Sequence, residues 1–361
     1  MRYSLGLGKI SGIKIEIHWT FLLLLAWIIF SNLRTDVDPE QTIWSLLLVL
    51  AVFVCVILHE LGHALAAKKF DIKTSSITLL PIGGLARMEQ IPEKPKEELI
   101  IAFAGPAVNL IIAALIYPLT NISAVTALGE LHLKAESSNF FPALMSLNVW
   151  LAVFNLIPAF PMDGGRVFRA ILSFKLGHAK ATQIAASVGQ VLGMGFVFFG
   201  FFYNPFLIFI GLFIYLGAGA ESAYTQTKSM LQGFKVKDVV MHEVPFIDQN
   251  ASLKDAVHQL LNGQNKNFVV TDAGKPVGTL NRDQIIKALH EKNDDGIAVG
   301  KIMKDVPLYF PTGAPLEEVL HEIQKHKIIL VADDGKLEGI VDDENLAEFI
   351  LIRSASNGRQ N

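Results

Sequence analysis

Residues 43–58 carry no charge and are almost wholly apolar, and His59-Glu60-Leu61-Gly62-His63 follows them without a break. A run that long and apolar on every side has to be covered by protein or by lipid. Its continuation into ionisable residues restricts the fold most. Ionisable groups at membrane depth are costly and usually mark function. Residues four apart share a helix face, so His59 and His63 can point at one metal ion. Glu60 is then placed to act on a water at that metal, as in a zinc hydrolase. The plain alternative is a pair of polar residues capping a membrane helix.

Composition agrees with membrane insertion. The chain is 51% hydrophobic and only 18% charged, with a mean hydropathy of +0.41. The apolar excess lies in residues 1–225, whereas 235–353 read as soluble sequence. A formal net charge of -3 argues against a nucleic-acid partner. Cys55 is the single cysteine, which excludes an internal disulfide and a cysteine-rich metal site. The first apolar run lacks a small-residue cleavage site and reads as a retained span.

Six spans are expected, over about 18–30, 43–67, 99–119, 141–160, 184–202 and 205–224. The last two flank Tyr203-Asn204-Pro205 and read as an antiparallel pair. Residues 77–88 are apolar but too short to cross. The stretch Thr78, Leu79, Leu80, Pro81, Ile82, Gly83, Gly84 reads as a re-entrant hairpin packed on protein. Residues 167–182 have helical periodicity mixed with Arg169, Lys175 and Lys180, which suggests a helix on the membrane surface.

Basic residues set the orientation. Arg2, Lys9 and Lys14 precede the first span; Lys68, Lys69, Lys73, Arg87, Lys94 and Lys96 follow the second; Arg166, Arg169, Lys175 and Lys180 follow the fourth. The opposite loops hold only Arg34 and Lys134. Both termini are therefore expected in the cytoplasm, with the protein multi-pass in the cytoplasmic membrane. His59, His63 and Asp163 then fall at the cytoplasmic ends of their spans. Asp163 stands after Pro158 and Pro161 at the end of an apolar run, before Gly164 and Gly165. Prolines stop the helix and glycines allow a tight turn. On its own Asp163 would read as a turn residue or helix cap.

His59-Glu60-x-x-His63, the run from Asn155 to Gly165 and Gly105-x-x-x-Asn109 together resemble the site-2 protease family of intramembrane zinc metalloproteases. The resemblance covers residues 1–220. It implies that His59, His63 and Asp163 bind Zn²⁺, one per chain, and that Glu60 is the general base. It implies that Asn109 orients the scissile carbonyl or its oxyanion. It also implies a membrane-protein substrate, cleaved within its transmembrane segment, with residues 78–84 offering a strand edge to the unwound peptide. The same reading expects regulated intramembrane proteolysis.

An internal repeat follows. Val236-Lys237-Asp238-Val239-Val240-Met241 is echoed by Val299-Gly300-Lys301-Ile302-Met303, and Ala251-Ser252-Leu253 by Ala314-Pro315-Leu316. Each unit reads as β-α-β-β-α over about 60 residues. This resembles a tandem pair of CBS modules, which implies regulation of the membrane domain, a homodimer through the modules, and an adenine nucleotide. The candidate nucleotide residues are Asn281, Gln284, Asp342 and Asn345. The sequence departs from the family there, because neither copy has its ribose-binding aspartate.

The expected architecture is a polytopic α-helical membrane domain of about six transmembrane helices with a re-entrant β-hairpin, followed by a soluble α/β tandem CBS module. The expected boundaries are 1–224, a linker at 225–235, and CBS repeats at 236–293 and 299–353. The alternative is a CBS-regulated ion channel or transporter with a structural metal site. Transporters often repeat their membrane halves, and residues 1–220 show no such repeat.

Overall fold

A computed structural model of the chain describes residues 4–35, 37–81, 83–88, 92, 94–120, 138–263, 265–292, 296–304 and 308–357. They fall into two compact units, Met1–Ala223 and Tyr224–Asn361.

The first unit opens with a hairpin, Ser4–Ile10 (β1) and Ile13–His18 (β2), registered from Ser4 opposite His18 to Ile10 opposite Ile13. Ser11 and Gly12 turn it with φ of 53° and 89°, the paired positive φ that suits the twist of a two-residue hairpin. In β2, Ile13 and Ile15 are buried while Lys14 is exposed. That alternation marks a half-buried strand. Two helices intervene before Thr74–Leu80 (β3), which lies parallel to β2. Gly83–Met88 (β4) then pairs antiparallel with β3, and the sheet order is β1-β2-β3-β4. Ile82 lies outside the described residues.

The helices of this unit are Thr20–Arg34 (α1), Pro39–Lys68 (α2), Pro95–Ile116 (α3), Phe140–Asn155 (α4), Asp163–Leu176 (α5), His178–Phe202 (α6) and Phe206–Leu231 (α7), the last running on into the second unit. Among the described residues four helical stretches are long and apolar enough to cross a membrane: Pro39–Lys68, Pro95–Leu119, His178–Phe202 and Phe206–Leu231. The protein is a multi-pass membrane protein. α1 and α4 are apolar but have 15 and 16 residues, so at about 1.5 Å per residue each falls short of a hydrocarbon core of about 30 Å.

α2 starts with an Asp38 carboxylate accepting from the Glu40 N–H, with Pro39 in the first turn. Its 30 residues place His59 about 30 Å from its start. Ile13, Ala64 and Ile77 form one buried cluster with Leu61 and Ala86 packed against it. The sheet therefore lies directly on the helical turn that carries the histidines.

α5 differs from the surface helix expected over 167–182. Arg169, counted as a surface cation in the sequence reading, is 1% exposed. Its Nε donates to Glu98 Oε1 at 2.7 Å, its Nη1 bonds Glu221, and its guanidinium lies 4.9 Å from the Phe160 ring centroid. The pairing joins α3, α5 and α7 through buried charge, and it is why an arginine is tolerated there.

The second unit repeats one pattern twice. Phe246–Asp248 (β5), Leu253–Gly263 (α8), Asn267–Asp272 (β6), Lys275–Asn281 (β7) and Arg282–Lys292 (α9) form the first copy. Tyr309–Phe310 (β8), Leu316–His326 (α10), Ile328–Asp333 (β9), Lys336–Asp342 (β10) and Asp343–Asn357 (α11) form the second. Each copy has a three-stranded sheet with one parallel and one antiparallel pair. Val269 from one sheet packs with Ile328, Leu330 and Ile340 from the other in a single buried cluster. Main-chain bridges Met241 to Ile340 and Thr279 to Lys304 also join the copies. This is an α/β module built of two interlocked repeats.

Candidate metal centre

The spacing on α2 puts His59 and His63 one turn apart on its inner face, 7% and 4% exposed. Asp163 reaches them from the first residue of α5, where the helix N-terminus favours a carboxylate. The segment before it is held by burial: Ala159 and Met162 pack with Ile214 of α7, and Phe160 with Ala185 and Ala186 of α6. The position of Asp163 therefore depends on two helices that follow it in the chain, α6 and α7.

The ligand-type atoms converge. His59 Nε2 lies 3.1 Å from His63 Nε2, and Asp163 Oδ2 lies 3.2 Å and 3.1 Å from the two. Four-coordinate zinc with Zn–N of about 2.0–2.1 Å sets its ligand atoms about 3.3–3.4 Å apart. The triangle here is close to one face of that tetrahedron and leaves the fourth position free.

The outer ring nitrogens state which tautomers are present. His63 Nδ1 lies 2.7 Å from the Ile101 carbonyl oxygen, which can only accept, so Nδ1 carries the proton. His59 Nδ1 lies 2.5 Å from Asn109 Oδ1. In the neutral rings both Nε2 atoms are then bare, and they face each other and a carboxylate oxygen. Three lone pairs at this separation repel unless a cation sits among them. The donor set, two imidazoles and one carboxylate, suits zinc with an open position. Among the described residues this is the one group of three or more His, Cys, Asp or Glu side chains arranged for a metal.

Two glycines shape the surroundings. A Cβ on Gly105 of α3 would strike His63 Nε2 and stand 2.7 Å from His59 Nε2. A Cβ on Gly84 of β4 would stand 2.5 Å from Glu60 Cγ and 2.9 Å from its Oε1. The backbone of β4 thus runs against the Glu60 side chain, next to the three ligand residues. Among the described residues no strand pairs with the outer edge of β4.

The strand-edge expectation changes accordingly. Thr78 and Leu79 are paired on both sides, with Glu16 and Ile17 of β2 and with Leu85 and Gly84 of β4. Leu80 is paired with Gly83, and Pro81 is in the turn. Only Gly83 and Gly84 of that stretch belong to the edge strand, which runs on to Met88. Parallel pairing with β2, more than fifty residues earlier, covers the other side of β3, and no local signal announces it.

Asn109 is fully buried beside His59, and its Nδ2 donates to Asn148 Oδ1 at 2.9 Å. Both ends of this amide are engaged by protein side chains, Oδ1 by His59 and Nδ2 by Asn148. Asn148 and Arg169 were not singled out as site residues by motif. Asn148 was detectable as one of few polar residues within the apolar run of α4.

In the second unit three of the four candidate nucleotide residues, Asn281, Gln284 and Asp342, make helix-capping bonds with their side chains, and the Asn345 Oδ1 is buried without a hydrogen-bond partner among the described residues. Asn281 and Gln284 bond reciprocally, N–H to Oε1 and N–H to Oδ1, each at 2.9 Å, and Gln284 Nε2 donates to the Ile302 carbonyl at 3.0 Å. Asp342 accepts from the Asn345 N–H at 2.8 Å and from Asn267 Nδ2 at 3.1 Å.

Comparison with known proteins gives consistent matches. The model of peptidase family M50 matches residues 47–131 and 118–196, and the CBS domain model matches 236–291 and 299–352. A zinc metalloprotease of Methanocaldococcus jannaschii is 35% identical over 356 residues, 98% of this chain and 97% of its own length. Rip3 of Mycobacterium tuberculosis is 28% identical over 377 residues, covering 98% of this chain and 94% of its own. The solved site-2 protease from Methanocaldococcus jannaschii aligns at 41% identity and a TM-score of 0.45, covering 61% of this chain and 95% of that one.

Proposed function

The chain belongs to the M50 peptidase family, the site-2 proteases, which are zinc metalloproteases, and from that premise we propose that His59, His63 and Asp163 hold one Zn²⁺ per chain while Glu60 is the general base. The observation that carries this is the convergence of two bare Nε2 atoms and a carboxylate oxygen within 3.2 Å. A zinc ion held there supplies Lewis acidity that lowers the pKa of water toward about 7 and polarises a peptide carbonyl. Glu60 accepts the proton of the attacking water as its oxygen adds to the carbonyl carbon. Glu60 then returns that proton to the amide nitrogen as the C–N bond breaks.

The substrate is the transmembrane segment of a membrane-anchored protein. Its peptide bonds are shielded while helical, so the segment must unwind, and its freed N–H and C=O groups then need partners. The unpaired edge of β4 lies against Glu60 and supplies them by strand addition. This gives the hairpin β3–β4 a re-entrant place at the metal. α1 and α4 join the four longer helices as short spans met by local thinning of the bilayer, making six. The basic residues after α2 and before α1 put both termini in the cytoplasm, and the membrane is the cytoplasmic one.

Residues 1–224 form the protease domain, 225–235 a linker, and 236–293 and 299–353 the CBS repeats. The CBS pair modulates cleavage and pairs two chains. An adenine nucleotide would bind near Asn281, Gln284, Asp342 and Asn345 by exchanging the capping bonds that the first three side chains make. Calorimetric titration of the intact protein with AMP and ATP tests this directly. Nothing in the metal geometry favours the channel or transporter alternative.

The mechanism is tested with Glu60→Gln, His59→Ala and Asp163→Ala. Glu60→Gln is expected to retain zinc and lose cleavage of a co-expressed transmembrane substrate; the other two are expected to lose both. Normal cleavage by Glu60→Gln removes Glu60 from the mechanism.

A further inference from the structure

We propose that Asn148, acting through Asn109, is a positioning residue for His59: a relay of three side chains selects which imidazole nitrogen faces the metal. Asn148 is fully buried on α4, 93 residues from Cys55 and 39 from Asn109 in sequence. Its Nδ2 donates to the Leu144 carbonyl at 2.8 Å and approaches Cys55 Sγ at 3.4 Å. The Leu144 carbonyl can only accept, so the Asn148 amide cannot be flipped without opposing two oxygens. Its Oδ1 is thereby turned toward α3, where it accepts from Asn109 Nδ2 at 2.9 Å.

The same logic passes one step on. With Nδ2 of Asn109 committed to Asn148, its Oδ1 faces His59 Nδ1 at 2.5 Å. Only a protonated Nδ1 satisfies that oxygen, so the neutral ring presents a bare Nε2. That atom is the one within 3.2 Å of His63 Nε2 and Asp163 Oδ2. Leu144 therefore specifies the tautomer of His59 across three helices, α4, α3 and α2. His63 needs no relay because a main-chain carbonyl, that of Ile101, does the same work directly.

Buried amides in apolar helices cost free energy unless each polar atom is met. A merely structural asparagine pair would join helices equally well in either amide orientation. This relay has one permitted orientation from end to end, and it terminates on a metal ligand. Partners of this type in metal sites hold the ring and raise its basicity, and their loss weakens metal binding by about 10–100-fold.

The inference rests on the metal reading above, and the test separates the two. Zinc affinity is measured on the full-length protein in detergent by competition with a chromophoric chelator. The forms compared are wild type, Asn148→Leu, Asn109→Leu and Asn109→Asp. Expected are an affinity about 10–100-fold lower in both leucine variants and near-wild-type affinity in Asn109→Asp, where one carboxyl oxygen still accepts from His59 Nδ1 and the other, protonated, donates to Asn148 Oδ1. ¹⁵N-histidine spectra of metal-free protein are expected to show His59 protonated at Nδ1 in wild type and Asn109→Asp, and as a tautomer mixture in Asn148→Leu. A structural role alone would treat Asn109→Asp and Asn109→Leu alike, and that result overturns the relay. Wild-type affinity and tautomer in Asn148→Leu also overturn it while leaving the metal site standing. If wild type binds no zinc, the metal reading falls and the relay with it. Should Asn148→Leu fail to fold, Asn148→Ala takes its place with the same expected loss of affinity and tautomer mixture, and wild-type affinity and tautomer in that variant overturn the relay.

Discussion

Gly105→Ala tests the metal centre through a residue with no chemistry of its own. The added methyl would stand 2.7 Å from His59 Nε2 and run into His63 Nε2. Ordinary contacts begin near 3.4 Å, so His59 Nε2 would have to retreat by about 0.7 Å and His63 Nε2 by more. Zinc sites tolerate shifts of about 0.2 Å around Zn–N distances of about 2.0–2.1 Å. Nor can the rings swing freely, since each Nδ1 is tied at 2.5 or 2.7 Å to Asn109 or Ile101. Zinc affinity should therefore fall by about 100-fold or more, roughly 2.7 kcal/mol, comparable to losing outer-shell support altogether. Folding should survive. Overpacking costs about 1–3 kcal/mol, offset in part by the roughly 1 kcal/mol that alanine gains over glycine in a helix. The assay is chelator competition for zinc beside thermal unfolding in the same detergent. Wild-type zinc affinity in folded Gly105→Ala would refute the close packing of α3 on the two imidazoles.

Gly84→Ala should show the complementary phenotype: the atoms nearest its methyl all belong to Glu60, so zinc is retained while turnover drops, read as kcat on a transmembrane substrate. Arg169→Met leaves Glu98, 2% exposed, as an uncompensated buried carboxylate and should cost about 3–5 kcal/mol in thermal stability. Adding Glu98→Gln should recover part of that loss, and an additive result would remove the coupling. In the CBS unit Ser252 and Asp255 cap α8 reciprocally, Asp255 N–H to Ser252 Oγ at 3.1 Å and Ser252 N–H to Asp255 Oδ2 at 2.9 Å. Ser252→Ala should cost about 1 kcal/mol in the calorimetric transition of that unit. The bonds from the Ser252 hydroxyl and amide hold the Asp255 carboxyl below its ordinary range, so the cap contributes at neutral pH and is lost as pH falls through the folded value. Asp255→Asn should flatten that acid-side dependence.

Much of the site was legible because its geometry is local. Residues four apart on a helix share a face whatever the rest of the chain does, so His59 and His63 were a pair before any fold was known. The CBS repeats were legible because each copy carries its own strand and helix periods, with Ile247 and Leu253 in one core and Phe310 and Leu316 in the other. Asp163 is different in kind. Standing alone it reads as a turn residue, and only family resemblance joined it to His59. The structure supplies the physical link, a packed segment from Ala159 to Met162 that delivers its carboxylate to the histidines.

The sequence by itself determined that this chain enters a membrane, that α2 carries two histidines on one face with a glutamate between, and that a two-copy α/β module follows. Those properties arise from hydrophobicity and periods of two and 3.6 residues, which act over short stretches. Tertiary structure alone decided three further things. It covered one side of β3 with β2, leaving the free edge to β4 beside Glu60. It turned Arg169 inward between Glu98 and Glu221. It also aligned Asn148 and Asn109 behind His59. Each depends on which of two equivalent sides of a strand, helix or amide faces a distant partner, and no local period distinguishes those sides.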